Sequence, residues 1–373
     1  MSKAAELANL IGNINMGGGG VNRNVIINGA MNVAQRGTSS TGLGASSGYF
    51  TCDRWNIFTG NSAGRFTMSQ DSSAPSGFAN SLKFACTTAD TSIAANEYMA
   101  LAQQFEGQNL QHFKVGTAEA LPITASFYVK GNANATYSCE LQHHASGETS
   151  RNYSKAFNVT TDWTRVELTF EGDTTTPLDD DNSDQFMLEI WLHGGTNFSS
   201  GTAYTTWADR DYTKSFQDGQ TSFYDSTDRT FFITGVQLEV GQNATEFEHE
   251  PYDVTWHKCQ RYFQHLDCSE APYTKFIIGQ AVASNQAQFC LQLRPHMRSI
   301  PTLTVTDVSD LATVTASGGA SGITALSLDG NSDTSHSVIL DTSTTTSGLT
   351  AGHVTMLVGE NDTSPVIDLS AEL

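Results

Sequence analysis

Phe186-Met-Leu-Glu-Ile-Trp-Leu-His193 alternates without a break: Phe186, Leu188, Ile190 and Leu192 fall on one side of an extended chain, Met187, Glu189, Trp191 and His193 on the other. A period of two with one greasy side predicts a strand that buries that side in a core. The same beat recurs upstream, where Tyr137, Cys139 and Leu141 alternate with Ser138, Glu140 and Gln142, and Val166, Leu168 and Phe170 with Arg165, Glu167 and Thr169. Val25, Ile27, Met31 and Val33 read as the face of a first strand, and Phe232, Val236, Leu238 and Val240 as that of the last. Gly, Asn and Asp punctuate these runs as turn residues do.

Strands of this kind must stack their apolar faces in two sheets. Roughly eight to ten of them over this span suit a jelly-roll β-sandwich. Residues 21–252 are assigned to it. At 253–268 the spacing changes: with Asp253 as N-cap, Trp256, Cys259, Tyr262 and Phe263 repeat at helical intervals, which predicts a connecting helix. Alternation returns in residues 269–373, at Phe289, Leu291 and Leu293, and predicts a second, smaller β-sandwich. Residues 1–20 stand apart. Ala4, Leu7, Ala8, Leu10 and Ile11 form a short amphipathic pattern before Gly17–Gly20, a helical anchor on a hinge, with Leu7, Leu10 and Ile11 as its docking face. The fold class expected is therefore mainly β.

The chain has 373 residues, 39 acidic and 19 basic, for a formal charge of −20. That charge argues against nucleic acid as a partner, since phosphate neutralisation needs clustered Lys and Arg. It also argues against an anionic membrane surface, and no apolar run reaches the roughly 18 residues of a span. The six cysteines, Cys52, Cys86, Cys139, Cys259, Cys268 and Cys290, form no C-x-x-C pair. They read as small hydrophobes in a chain folded in a reducing cytoplasm. The N-terminus does not read as a signal peptide.

Motifs of catalysis are sparse: no phosphate-binding glycine loop and no His-Glu-x-x-His occurs. Glu239, Glu246, Glu248 and Glu250 are crowded, but their context reads as a solvated strand end, and the expectation is that the protein is not an enzyme. His143-His144, and His257, Cys259, His265 and Cys268, read as exposed histidines and buried cysteines rather than metal ligands. No cofactor is expected. The one candidate cation site is the acidic run Asp179–Asp184, where Asp179, Asp181 and Asp184 offer the oxygens calcium takes; a solvated loop is the plainer reading. Trp191 is the candidate ligand contact. With Glu189 and His193 it stands on the face opposite the core-facing row, and Tyr128 has the same parity on its own strand. Exposed rings beside hydrogen-bonding groups grip sugars, unless a loop or a neighbouring subunit covers them.

Three stretches together carry a resemblance. Asn24-Val-Ile-Ile-Asn-Gly-Ala-Met-Asn-Val-Ala-Gln-Arg-Gly37 followed by Cys52-Asp-Arg-Trp55, then Phe232-Ile-Thr-Gly-Val-Gln-Leu-Glu-Val-Gly241 with Ala244-Thr-Glu-Phe-Glu248, then Cys259-Gln-Arg-Tyr-Phe263, resemble the scaffold of bacteriophage tail-fibre and related virion appendage proteins. Between them, Ser126-Phe-Tyr-Val-Lys130 and Trp163–Phe170 are similar to strands of carbohydrate-binding-module jelly rolls. The resemblance covers about residues 22–265. It implies a virion component made in the host cytoplasm and displayed on the particle, a homotrimer joined to another virion protein through its N-terminal segment. It implies attachment to a host-surface glycan or protein by non-catalytic binding. A capsid-decorating or head fibre, and a polysaccharide-degrading tailspike, are the alternatives. Arg54, Trp55, Gln237, Glu239 and Arg261 are implied to tie the scaffold together.

Overall fold

The computed structural model describes residues 2–4, 7, 8, 11, 22–144, 147–217, 219–315, 319–345 and 348–373. The chain forms two compact units, Met1–Thr255 with Leu373, and Trp256–Glu372. Of the docking face, Leu7 and Ile11 are helical and exposed, while Leu10 and the Gly17–Gly20 stretch lie outside the described residues. Among the described residues no helix is long and apolar enough to cross a membrane.

The first unit is a jelly-roll sandwich whose strands all pair antiparallel. In chain order they are β1 (Ser39–Leu43), β2 (Gly48–Tyr49), β3 (Asn56–Gly60), β4 (Arg65–Asp71), β5 (Ser81–Thr88), β6 (Tyr98–Glu106), β7 (Ile123–Gly131), β8 (Ala135–His143), β9 (Arg151–Val159), β10 (Thr164–Phe170), β11 (Asp184–Gly194), β12 (Ala208–Asp209) and β13 (Thr230–Val240). One sheet runs β1-β4-β5-β13-β7-β10, the other β12-β9-β8-β11-β6-β3-β2. Their apolar rows meet between them. Phe127 on β7 packs edge-on against Phe157 on β9, ring centroids 5.1 Å apart, and Tyr137 on β8 against Phe231 on β13 at 5.5 Å. Each such buried ring stabilises the fold by about 1.5–3 kcal/mol relative to an exposed one.

Alternation found β8, β10 and β11, but it misplaced three things. Residues 22–38 are no strand. Asn28 turns the chain at φ 61°, its side-chain oxygen accepts from the backbone N–H of Asn32 and Val33, and Ile26 rather than Val25 or Ile27 points inward. On β13 the ladder to β7 shifts between Thr234 and Gln237, around Gly235 at φ 61°. That bulge flips the parity, so Phe231 and Ile233 share the core side with Val236 and Leu238, while Phe232 faces outward against Trp163. Glu239 is not solvated either. It is fully buried and accepts from the N–H and hydroxyl of Thr245 and the amide of Gln237.

The motifs of the resemblance converge in the first unit on one clasp. The N–H of Val25 donates to Leu238 O at 3.1 Å and that of Val236 to Gly29 O at 3.0 Å. The Trp55 indole donates to Asn28 O, Arg54 to Gln104 O, and Glu248 accepts from the N–H of Asn22 and Asn24. These residues hold the chain start to the closing strand and to β6; they are scaffold.

The connecting helix spans Tyr252–Gln260, shorter than the spacing suggested, with Asp253 inside its first turn. Phe263 pairs with Ser370 instead of continuing it. The second unit contains β14 (Phe263–Asp267), β15 (Lys275–Ala283), β16 (Gln286–Gln292), β17 (Thr302–Thr306), β18 (Leu311–Thr315), β19 (Ala320–Leu328), β20 (Ser337–Thr344), β21 (Val354–Gly359) and β22 (Val366–Ser370). The sheet β14-β22-β17 lies beside a closed barrel, β15-β16-β20-β19-β18-β21. This β domain thus closes its sheet on itself where two stacked open sheets were expected. Register shifts in β15 and β19 supply the curvature. So does Gly279, where any Cβ would lie 2.1 Å from Gln288 O. Phe289, Val338, Leu340 and Leu357 fill the core of this unit.

Candidate ligand-binding site

Strand β11 presents Phe186, Leu188, Ile190 and Leu192 to the core, each fully buried, and turns Met187, Glu189, Trp191 and His193 to the other face. That face is not bare. The segment from Gly195 to Tyr224 runs across it and is pinned strand by strand. Gly195 N–H donates to Glu97 O, Ser215 Oγ to Glu140, and Thr221 N–H to Thr136 O, while Ser222 Oγ bonds His193 Nδ1. Seven aromatic residues (Phe198, Tyr204, Trp207, Tyr212, Phe216, Phe223 and Tyr224) stud this cover.

Between cover and sheet remains a cavity of about 630 Å³. Its walls are largely rings: Phe58 from β3, Tyr98 from β6, Trp191 from β11, and Phe198 and Tyr212 from the cover. Phe198 stacks obliquely on Tyr98 at 5.1 Å and on Trp191 at 5.5 Å, so the rings form one continuous surface. The polar groups are few: Glu189, Arg210, Asn197 and Thr213. The Arg210 guanidinium lies 4.0 Å over the Tyr212 ring.

Glu189 does not stand alone. It is the direct cross-strand partner of Glu140 on β8, and both carboxyls are buried. Glu140 accepts from Asn152 Nδ2 at 2.7 Å and Ser215 Oγ at 3.1 Å. Burial and then the charge of Glu189 push the Glu140 carboxyl well above the usual range, which favours its protonated form. Glu189 is raised too, by burial, with Arg210 opposing. Burial of the two neighbouring carboxyls thus favours holding a proton, and the charge of Arg210 opposes this at Glu189. One carboxyl oxygen of each, the Arg210 Nε and the Trp191 Nε1 are buried without an aligned hydrogen-bond partner.

The pair makes a signed prediction. A carboxyl whose folded pKa is raised contributes stability that is full below its unfolded value, about 4.3. That stability is lost as pH rises toward and through the folded value, by at most roughly 1.4 kcal/mol per pH unit. Glu140→Gln copies the protonated form and cannot titrate. The Tm advantage of the variant over wild type is expected to grow from pH 5 to pH 8. A pH-independent difference would mean that the Glu140 carboxyl is not raised in the folded chain.

Of the residues singled out in the sequence, Trp191 and Glu189 meet in the cavity. His193 does not reach it: the ring is buried between Ser222 Oγ at 2.8 Å and Glu97 Oε2 at 3.2 Å. Tyr128 belongs to the other sheet, against Phe78. The three aspartates go to separate partners. Asp179 accepts from Gln185, Asp181 from Ser183, and Asp184 from Gln104 and His144. Among the described residues no group of three or more His, Cys, Asp or Glu could hold a metal ion. Sequence reasoning missed Tyr98, Phe198, Arg210, Tyr212 and Glu140. The aromatic richness of residues 198–216, unusual for a turn-rich connection, was the available signal for the cover.

No family model matches the chain, and no curated protein does. Several solved structures are similar in part. One is a family 11 carbohydrate-binding module from Clostridium thermocellum, solved with a β-1,3-1,4-mixed-linked tetrasaccharide; it is 12% identical, with 56% of this chain and 98% of that chain covered and a TM-score of 0.29. The xylan-binding domain CBM22-1 from Paenibacillus barcinonensis is 12% identical, with 55% and 94% covered and a TM-score of 0.28. The enzymatically active domain of tailspike protein 4 from bacteriophage CBA120 is 9% identical, with 58% and 21% covered and a TM-score of 0.30.

Proposed function

We propose that this protein is a non-catalytic glycan-binding component of a phage virion, a tail fibre displayed on the particle that attaches to the host surface. The observation that carries the glycan part is the ring-walled cavity on β11. Tyr98, Phe198 and Tyr212 offer faces for the C–H side of a sugar, with Trp191 packed against the first two, and Glu189 and Arg210 line the same space as an acceptor and a donor for its hydroxyls. The carboxyl pair does not fit glycoside hydrolysis. That reaction needs two carboxyls about 5–9.5 Å apart on either side of the bond; Glu140 and Glu189 are instead direct cross-strand partners, both buried. The virion part, including a homotrimer docked through residues 1–20, rests on the sequence resemblance. Many weak sites on one particle then attach by avidity.

The test is a panel of bacterial surface polysaccharides and their oligosaccharides against the intact chain, read by calorimetry and by reducing-end assay. Saturable binding to at least one glycan with no new reducing ends is expected. Release of reducing ends, or no binding across the panel, overturns the reading. On intact particles, antibodies to the second unit are expected to decorate the tail; decoration of the head alone overturns the tail assignment.

A further inference from the structure

The outer surface of the barrel in the second unit carries the two most exposed large hydrophobic side chains among the described residues. Along β16 the inward residues are Ala287 and Phe289, and the outward ones Gln286, Gln288, Cys290 and Gln292. Neighbouring strands continue this outer layer. Val354 pairs with Gln280, Gln280 with Gln288, and Gln288 with Asp341. Beside that row Ile278 pairs with Met356, and Cys290 with Ile339. Ile278 is 65% exposed, Val354 60% and Val282 45%. Large side chains left in water together on adjacent strands mark an interaction surface.

Charge selects the occupant. A chain of −20 repels its own copies, so contact between copies needs a surface free of carboxylates. Strands β15, β16 and β21 contain no Asp or Glu. The only charge on them is Lys275, at one end of β15. Across the ladder from Gln288 the outer layer carries Asp341 on β20, and among the described residues neither it nor Lys275 makes an ion pair. A positive and a negative charge thus flank an uncharged face of apolar and glutamine side chains, an arrangement complementary to itself when copies are related by rotation. We infer that this face is where copies of the chain meet, with Ile278 and Val354 at its centre and Lys275 of one copy against Asp341 of the next. The inference rests on the assembly part of the function proposed above and is independent of the glycan part.

The full chain is tested by sedimentation at micromolar concentration. Wild type is expected at an integer multiple of 40.2 kDa, and the double variant Ile278→Glu, Val354→Glu at 40.2 kDa with an unchanged circular dichroism spectrum. Lys275→Glu is expected to weaken association at least tenfold, and Asp341→Lys added to it to restore association. Cys290 is the one exposed thiol among six; its labelling is expected to slow severalfold in wild type relative to the double variant. A monomeric wild type overturns both this inference and the assembly reading. An oligomer untouched by the double variant, or a charge swap without recovery, overturns this face and leaves the assembly reading standing.

Discussion

Gly29→Ala is expected to unfold the first unit at temperatures where wild type is intact. A Cβ at position 29 would lie 2.1 Å from Val236 O and 3.3 Å from Ile26 Cγ2. The carbonyl cannot step aside. Val236 O accepts from Asn24 Nδ2 at 3.1 Å, and the N–H of Val236 is bonded to Gly29 O. Nor can the turn retreat, since Asn28 Nδ2 is fixed to Val33 O and Asp53 O and the Trp55 indole to Asn28 O. Relief requires the closing strand to leave the chain start, which breaks the clasp. Such a site costs about 4 kcal/mol or more. At about 2–4 °C per kcal/mol for a unit of this size, the Tm falls by roughly 10 °C. Gly77→Ala is the control: with φ 97° and open space around it, it meets strain and no clash, and should cost about 1–3 kcal/mol. Thermal unfolding of both variants, followed by tryptophan fluorescence, decides. Equal losses would mean that the clasp does not bear on stability.

The same clasp shows where sequence reading reached and where it stopped. The motifs Asn24–Gly37, Cys52–Trp55 and Phe232–Glu248 were legible as a set, but the first was read as a strand. Its backbone groups are in fact spent on turns and on side-chain bonds of Asn24 and Asn28, which period counting does not weigh. Strands β8 and β11 were legible because each keeps a strict alternation with no bulge in their mutual ladder. On β13 a single residue at Gly235 shifted the parity, and the face of Phe232 was lost with it. Glu140 was visible as the polar alternate of Cys139, yet its pairing with Glu189 is a matter of register between strands over forty residues apart. The cavity was half legible. Trp191 and Glu189 follow from local alternation, whereas Phe198, Arg210 and Tyr212 arrive by a long excursion whose path depends on tertiary bonds. Barrel closure in the second unit is likewise non-local, set by bulges and by the close approach at Gly279.

Trp191→Ala is expected to weaken glycan binding roughly thirtyfold. Two losses add. The indole is 3% exposed and supports Phe198 and Tyr98, so its removal takes away ring packing worth about 0.5–1.5 kcal/mol beyond area and lets the two rings that face the cavity shift. Its Nε1 is buried with no aligned acceptor, although it lies close enough to Glu189 to favour the charged carboxylate. A donor in that state gains a hydrogen bond of about 1 kcal/mol when a sugar oxygen reaches it. Together these are about 2 kcal/mol, or roughly thirtyfold in Kd. Trp191→Phe keeps a ring and loses the donor, and should weaken binding by roughly fivefold. Because Trp191 also packs the cover, the alanine variant is checked by its melting curve. Tyr212→Ala, at a residue 50% exposed, removes a wall of the same cavity with little burden on the fold. Trp163→Ala lies on the other sheet and should leave affinity unchanged. Equal affinity in folded Trp191→Ala and Tyr212→Ala proteins would take the cavity out of glycan binding, whatever the chain still binds elsewhere.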